Sequence, residues 1–347
     1  MTDTLRDLMG NVGTGPKSAG DMTYEEAREA ARAILDGEPA QTTLGAFWLA
    51  NRWKSNTPEE LAAYTDEMCS RVEYAVPDAD PVDCGANYDG KEKTALLSVA
   101  AGVVAASAGT PVVAHSGDRV PTQKGYAYKH VLDELGVRTD LTPEESAELV
   151  DKTGFGFYYQ PSFNPDVHAL NDRREEMGVR TFINTVETLV NPADADVHLG
   201  SFYHLAFAKR VCETLDRSEH HDIDRIVMFQ GLEGYDEIRP GYTKVAEWRD
   251  SEFDDYEIET AEYGMEFERE DLHVEDLLRD SALITEEVLA GERDDHFADA
   301  VALNAAFRVY ARGDAETLDA ALAETRGVLR DGKAAEVLDL VREVSAQ

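Results

Sequence analysis

The chain has 347 residues, 43% of them hydrophobic, and sets 33 Lys and Arg against 70 Asp and Glu, a net charge of −37. That length suits a core domain with a second, smaller one, and the charge opposes long-range attraction to nucleic-acid backbones. No apolar run approaches the roughly 20 residues of a membrane span, and the opening MTDTLRDLMG has neither a basic start nor an apolar signal core, so a cytoplasmic protein is expected.

The acid is spread over the chain, with dense stretches at 250–280, 77–83 and 291–296 set between apolar positions that keep helical or strand period. This is the pattern of a solvated acidic coat, as in proteins of salt-accumulating halophiles, where net charge opposes aggregation. Basic residues cluster only modestly, around Lys91/Lys93, Lys124/Lys129 and Arg173/Arg174. Cys69, Cys84 and Cys212 are far apart, odd in number and without metal-ligand spacing, which reads as buried thiols.

In chain order, MTYEEAREAARAILDGE carries a capping box of Thr23 and Glu26, and TPEELAAYTDEMCSRV repeats it with Thr57, Pro58 and Glu60. Between them, Leu44, Phe47, Trp48 and Trp53 recur near helical spacing, so a small helical domain is expected over 1–75. In 76–347, TALLSVAAGVVAASAG reads as a buried helix, TPVVAHSG as a short apolar strand and YKHVLDELGV as the next helix. FYHLAFAKRVCETLD is amphipathic, and RIVMFQGLEGYDEI is another apolar strand emptying into a loop. This alternation predicts an α/β domain with a doubly wound, mainly parallel sheet, whose ligands sit beyond the carboxyl ends of its strands. The tail from residue 281 is helical throughout, and the aromatic-rich 154–167 is read as core packing rather than a base-stacking surface.

On these residues the chain resembles the family of anthranilate phosphoribosyltransferases and pyrimidine nucleoside phosphorylases. The N-terminal helices are similar to its small helical domain, RREEMGVRTFINTVETLVNPA to its hinge segment, GLEGYDEI to its acidic metal loop, and 298–334 to its closing helices. The resemblance implies the nucleoside phosphorylase/phosphoribosyltransferase fold, with the hinge segment 168–195 packed against the helical domain. It also implies a homodimer paired through the helical domains.

The motifs depart from the family pattern at the site. The phosphoribosyl-diphosphate turn Gly-Thr-Gly-Gly-Asp-Gly reads GANYDG, keeping Gly85, Asp89 and Gly90 but placing Asn87 and Tyr88 where Cβ atoms crowd a diphosphate. Asn-Ile-Ser-Thr reads LLSV and keeps only Ser98; Lys-His-Gly-Asn-Arg reads AHSGDR and keeps His115 and Arg119; Gly-Pro-Leu reads ETL from Glu187. These changes resemble a divergent, anthranilate phosphoribosyltransferase-like branch, some of whose members bind nucleic acid.

The resemblance then implies a site. Gly85, Asp89, Gly90, Lys91, Lys93, Ser98, His115, Arg119 and Thr122 would take phosphoribosyl diphosphate, while Asp236 and Glu237 would hold Mg²⁺ against it as hard oxygen ligands. Arg174, whose guanidinium fork suits a carboxylate, and Asn184 would face an anthranilate-like aromatic acid. The expected chemistry is phosphoribosyl transfer, the diphosphate leaving ribose C1 through an oxocarbenium-like state stabilised by Mg²⁺ and cations, with no covalent nucleophile. Against each group stands a plainer reading: a solvated Asp-Glu loop, a structural histidine, a surface arginine, or Arg174 paired with Glu175 or Glu176. The alternative function is a non-catalytic nucleic-acid or nucleotide-binding protein on the same fold, which the charge disfavours.

The net charge generates the first prediction. Repulsion reaches about 10 Å at 0.1 M salt and about 3 Å at 1 M, so the melting temperature should rise between those concentrations. A thermal melt at both salts checks it, and an unchanged midpoint contradicts the acidic-coat reading.

Overall fold

The structure is a computed structural model that describes residues 4–85, 90–118 and 125–347. Asp89, Arg119 and Thr122, with Asn87, Tyr88 and Lys124, lie outside the described residues.

The N-terminal helices are α1 (Thr4–Val12), α2 (Tyr24–Leu35), α3 (Gln41–Lys54) and α4 (Pro58–Cys69). Both capping boxes form: Thr23 and Thr57 accept from the backbone N–H of Glu26 and Glu60, and each glutamate reaches back to its cap residue. Glu60 also accepts from Lys54 Nζ at 2.6 Å and from the Met22 backbone N–H at 2.8 Å, so one buried carboxylate joins α3, α4 and the entry to α2. Leu44, Phe47, Trp48 and Asn51 are buried, the i, i+3, i+4, i+7 stripe of α3. Trp53, expected among them, falls two residues beyond that stripe and stands 64% exposed.

The larger part is a seven-stranded sheet in the order β3-β2-β1-β4-β5-β6-β7. Its strands are β1 (Val82–Cys84), β2 (Val112–Ser116), β3 (Phe155–Tyr159), β4 (Val197–Phe202), β5 (Arg225–Gln230), β6 (Tyr242–Arg249) and β7 (Glu252–Glu259). The first five in this spatial order pair in parallel and β6 and β7 add antiparallel, so the expected mainly parallel sheet is present. Helices cover both faces, and alternate residues of one strand therefore enter different cores. Val112 and Ala114 pack with α5 (Ser98–Ser107) and the C-terminal helices, whereas Val113 packs on the opposite face with Tyr64 and Phe47 of the helical part. Along β5, Ile226 and Met228 face the helix Leu205–Arg217, while Val227 and Phe229 join the first core. The acidic β7 is exposed at most of its positions, as an edge strand that water covers.

Segment 168–195 lies against the N-terminal helices: Phe182 stacks on Tyr64 with ring centroids 3.9 Å apart, and Ile183, Val186 and Val190 join the same core as Leu61. Phe155, Phe157, Tyr158 and Phe163 are buried, in keeping with core packing of the aromatic-rich stretch, and all three cysteines are buried free thiols. Among the described residues no helix is long and apolar enough to cross a membrane.

A polar seam fastens α4 to the chain that follows the helix Leu205–Arg217. Asp66 accepts from Tyr24 Oη at 2.6 Å and from the Glu219 N–H at 2.8 Å, and also pairs with the Ser218 hydroxyl. Beside it, His221 Nε2 sits 3.4 Å from Cys69 Sγ, and burial lowers the imidazole to about 4. Folding thus favours the neutral ring, so stability is lost as pH falls from about 6.5 toward about 4, where an unfolded histidine takes up a proton and the native one resists. Relative to His221→Gln, the parent should lose about 2–3 kcal/mol across that window. Denaturant unfolding of both proteins at several pH values checks the difference.

Candidate functional site

The loop after β5 is built tightly. A Cβ on Gly231 would lie 2.1 Å from the Tyr235 carbonyl, and Glu233 adopts φ 55° so that the chain can turn its carboxylate back toward residues 92–94. Glu233 accepts from the Thr94 N–H at 2.9 Å, the Thr94 hydroxyl at 2.7 Å and the Glu92 N–H at 3.1 Å. Burial pushes its carboxyl up, but those hydrogen bonds more than offset this and hold it below the usual range.

The same loop delivers Asp236 and Glu237 into the interior. Glu237 Oε2 lies 2.6 Å from Lys91 Nζ, and Oε1 accepts from the N–H groups of Leu97 (2.7 Å) and Ser98 (3.0 Å). The Ser98 hydroxyl sits between the two carboxylates, 2.6 Å from Glu237 and 3.1 Å from Asp236. Asp236 Oδ2 faces Arg308 at 3.2 Å, and Asn304 Oδ1 accepts from the Ile238 N–H at 2.9 Å. Burial pushes the Asp236 carboxyl up to about 6, with Arg308 opposing and Glu237 adding to the shift.

These contacts correct two expectations. Ser98, at the start of α5, was expected to take phosphoribosyl diphosphate; instead its hydroxyl and the N–H groups of Leu97 and Ser98 donate to an internal anion, Glu237. Mg²⁺ demands near-octahedral oxygen ligands that are open to it, whereas Asp236 and Glu237 are 1% exposed and already paired with Arg308 and Lys91. As placed, Asp236 and Glu237 therefore do not offer a magnesium ion open ligands, and among the described residues no cluster of three or more His, Cys, Asp or Glu could hold a metal.

The remaining expected residues are divided. Gly90 takes φ 74°, its backbone pressed on Tyr126, and Lys93 is exposed. His115 is fully buried, with Nε2 at 3.3 Å from Asp83 Oδ1, and does not reach open space. Arg174 is buried and grips Glu187 with both fork nitrogens, at 2.7 and 3.0 Å, while Gln160 donates to the same carboxylate at 3.0 Å. Its partner is thus the acid that stands where the resembled family has glycine, rather than Glu175 or Glu176, and an acceptor carboxylate would have to displace it.

Gly85 and Asn184 do meet, at a cavity of about 510 Å³ between the helical part, segment 180–189 and the carboxyl ends of β1 and β4. Arg52, Arg180, His198 and His204 line it with the aromatic rings of Phe202, Tyr203 and Phe207, and no Asp or Glu is among its described lining residues. Arg52 Nη1 donates to the Arg180 carbonyl at 2.9 Å. Burial pulls the Arg180 guanidinium below its ordinary value, Glu187 opposing and Arg52 reinforcing. None of Arg52, Arg180 or His198 stood out in sequence. Arg180 lies six residues from Arg174, within the hinge segment already singled out, and that was the available signal.

Comparison with known proteins agrees with this architecture. Residues 82–335 match the glycosyl transferase family, a/b domain, and residues 6–72 the glycosyl transferase family, helical bundle domain. The chain belongs to this glycosyl transferase family. It is 30% identical to anthranilate phosphoribosyltransferase of Natronomonas pharaonis over 98% of this chain and 99% of that protein. The crystal structure of anthranilate phosphoribosyltransferase from Thermus thermophilus superposes with a TM-score of 0.83 at 26% identity, covering all of both chains. The Saccharomyces cerevisiae enzyme in complex with PRPP and Mg shares the fold, with a TM-score of 0.83 at 17% identity, over 100% of this chain and 99% of that one. The expectation of a glycosyltransferase related to anthranilate phosphoribosyltransferases is met.

The Lys91–Glu237 pair supplies a prediction. Lys91→Met leaves a buried carboxylate without its cation and should cost about 3–5 kcal/mol. Adding Glu237→Gln should recover part of that loss, since an amide still accepts from α5 without a stranded charge. Denaturant unfolding of both variants at molar salt reads it.

Proposed function

We propose that the chain transfers a phosphoribosyl group from phosphoribosyl diphosphate to an aromatic acid bound in the cavity between the helical part and the sheet. The observation that carries this reading is the composition of the cavity: in a chain of net charge −37, two arginines and two histidines line it and no described carboxylate does. Electrostatically, such a pocket concentrates anions that the rest of the surface repels. Chemically, guanidinium groups beside Phe202, Tyr203 and Phe207 suit a ligand with a carboxylate at one end and a ring at the other. The names of the relatives support the same donor and the anthranilate-like acceptor.

In this reading Gly85, Thr181, Asn184, Arg52 and Arg180 contact substrate, and Arg174 instead fixes the wall by holding Glu187. Asp236 and Glu237 lock the strand-end loop to α5. Two copies are taken to pair through the helical part, where exposed Trp53 borders an apolar groove with Met9, Val12, Pro16 and Leu49.

The test is an assay at molar salt with phosphoribosyl diphosphate and anthranilate, with and without Mg²⁺, following diphosphate and phosphoribosylated product by mass spectrometry. Diphosphate should appear in step with product. Arg180→Met should raise the acceptor KM by about 10-fold or more, the worth of one charge-assisted contact. The magnesium arms read metal use separately from transfer. No diphosphate release with any aromatic acid, together with tight duplex binding at molar salt, would favour the nucleic-acid-binding alternative.

A further inference from the structure

Asp83 stands at the middle of the sheet, fully buried, and touches an imidazole from each neighbouring strand. His198 Nδ1 of β4, its register partner, lies 2.7 Å from Oδ2, and His115 Nε2 of β2 lies 3.3 Å from Oδ1. Burial pushes the Asp83 carboxyl up, but the two histidines more than offset it and hold it below the usual range, so at neutral pH it is a carboxylate. A carboxylate only accepts, which makes Nδ1 of His198 the donor; in the neutral ring the lone pair is then on Nε2. Of the two histidines, only His198 lines the cavity.

The backbone around the outer edge of that ring is kept bare. A Cβ on Gly85 would come within 2.8 Å of His198 Cε1 and 2.1 Å of the Thr188 carbonyl, and one on Gly200 within 3.2 Å of His198 Nε2. Glycine at both positions keeps side-chain carbon off the Cε1–Nε2 edge of a ring that is 2% exposed and lines the cavity. Among the described residues, Asp83 from β1 touches it and His115 from β2 lies beyond Asp83; Arg52 from α3, Arg180 from the hinge segment, Tyr203 and His204 line the same cavity, and His221 lies past the end of the helix Leu205–Arg217.

We propose that His198 is the general base of the transfer, held in its working tautomer by Asp83. The inference rests on the phosphoribosyl-transfer reading. As the acceptor nitrogen lone pair forms the bond to ribose C1, the C1–O bond breaks and its electron pair leaves on the diphosphate. The proton released from the acceptor nitrogen passes to Nε2, Asp83 stabilises the imidazolium, and solvent takes the proton after product departs. Asp83 is the positioning residue.

The experiment measures kcat, KM and their pH profiles for the parent, His198→Gln, His198→Ala and Asp83→Asn, with donor binding by calorimetry. His198→Gln should lower kcat by about 10²–10⁴-fold with donor affinity kept, and should abolish the acid limb of the kcat profile. Added imidazole should restore part of the activity of His198→Ala, which a purely structural histidine would not allow. Asp83→Asn should lower kcat while leaving KM near the parent value. A His198→Gln variant that keeps kcat within about threefold, or keeps the acid limb, overturns the base while leaving the transfer reading intact. A parent that transfers nothing overturns the reading and the base together. Nitrogen-15 NMR of the parent gives a check that depends on no variant folding: Nδ1 of His198 should carry the proton at neutral pH, and the opposite tautomer overturns the proposal.

Discussion

Glu237 is the contact on which the site region depends. One buried carboxylate takes the Lys91 ammonium, the Ser98 hydroxyl and two N–H groups at the start of α5, so the loop after β5, the strap before α5 and α5 itself are fixed to one another. A carboxylate taken out of water costs several kcal/mol unless its lone pairs are filled, and these donors fill them. Breaking the set by removing one partner is therefore far more damaging than any surface substitution in so charged a chain.

The same logic recurs at other buried cations. Arg174 is matched by Glu187, Arg308 by Asp236 and Lys54 by Glu60. Each of these cations thus has an internal acid for its partner. Arg52 and Arg180 differ in bordering open space with no carboxylate among the cavity's described lining residues. The pairs elsewhere hold each other at short range, where Coulomb attraction is strongest.

Much of the fold was legible in the sequence. The capping boxes at Thr23 and Thr57, the buried small-residue helix and the apolar strands were local patterns, and local backbone chemistry decides them. The start of α5 was less so. An apolar pattern beginning at Thr94 became a helix only from Ser98, because Glu233 and Glu237 claim the N–H groups of Thr94, Leu97 and Ser98 across about 140 residues of chain. Trp53 failed as a core residue because two positions along a helix turn a side chain to the far side, which a loose count of spacings overlooks.

The sequence by itself determined the small helical part beside a larger α/β part, the mainly parallel sheet with helices on both faces, the net negative charge and membership of the glycosyl transferase family, since these follow from periodicity, turn chemistry, composition and ordered motifs. Only the tertiary structure decided which carboxylates are solvent-facing and which are partners of buried cations. In sequence Glu187 stood out only as a departure from glycine and Glu237 only as an expected metal ligand; that each pairs with a buried cation is set by where the sheet and helices bring them. For the same reason Arg52, Arg180 and His198, three ordinary residues on three separate elements, become one cavity only when the helical part closes over the ends of β1 and β4.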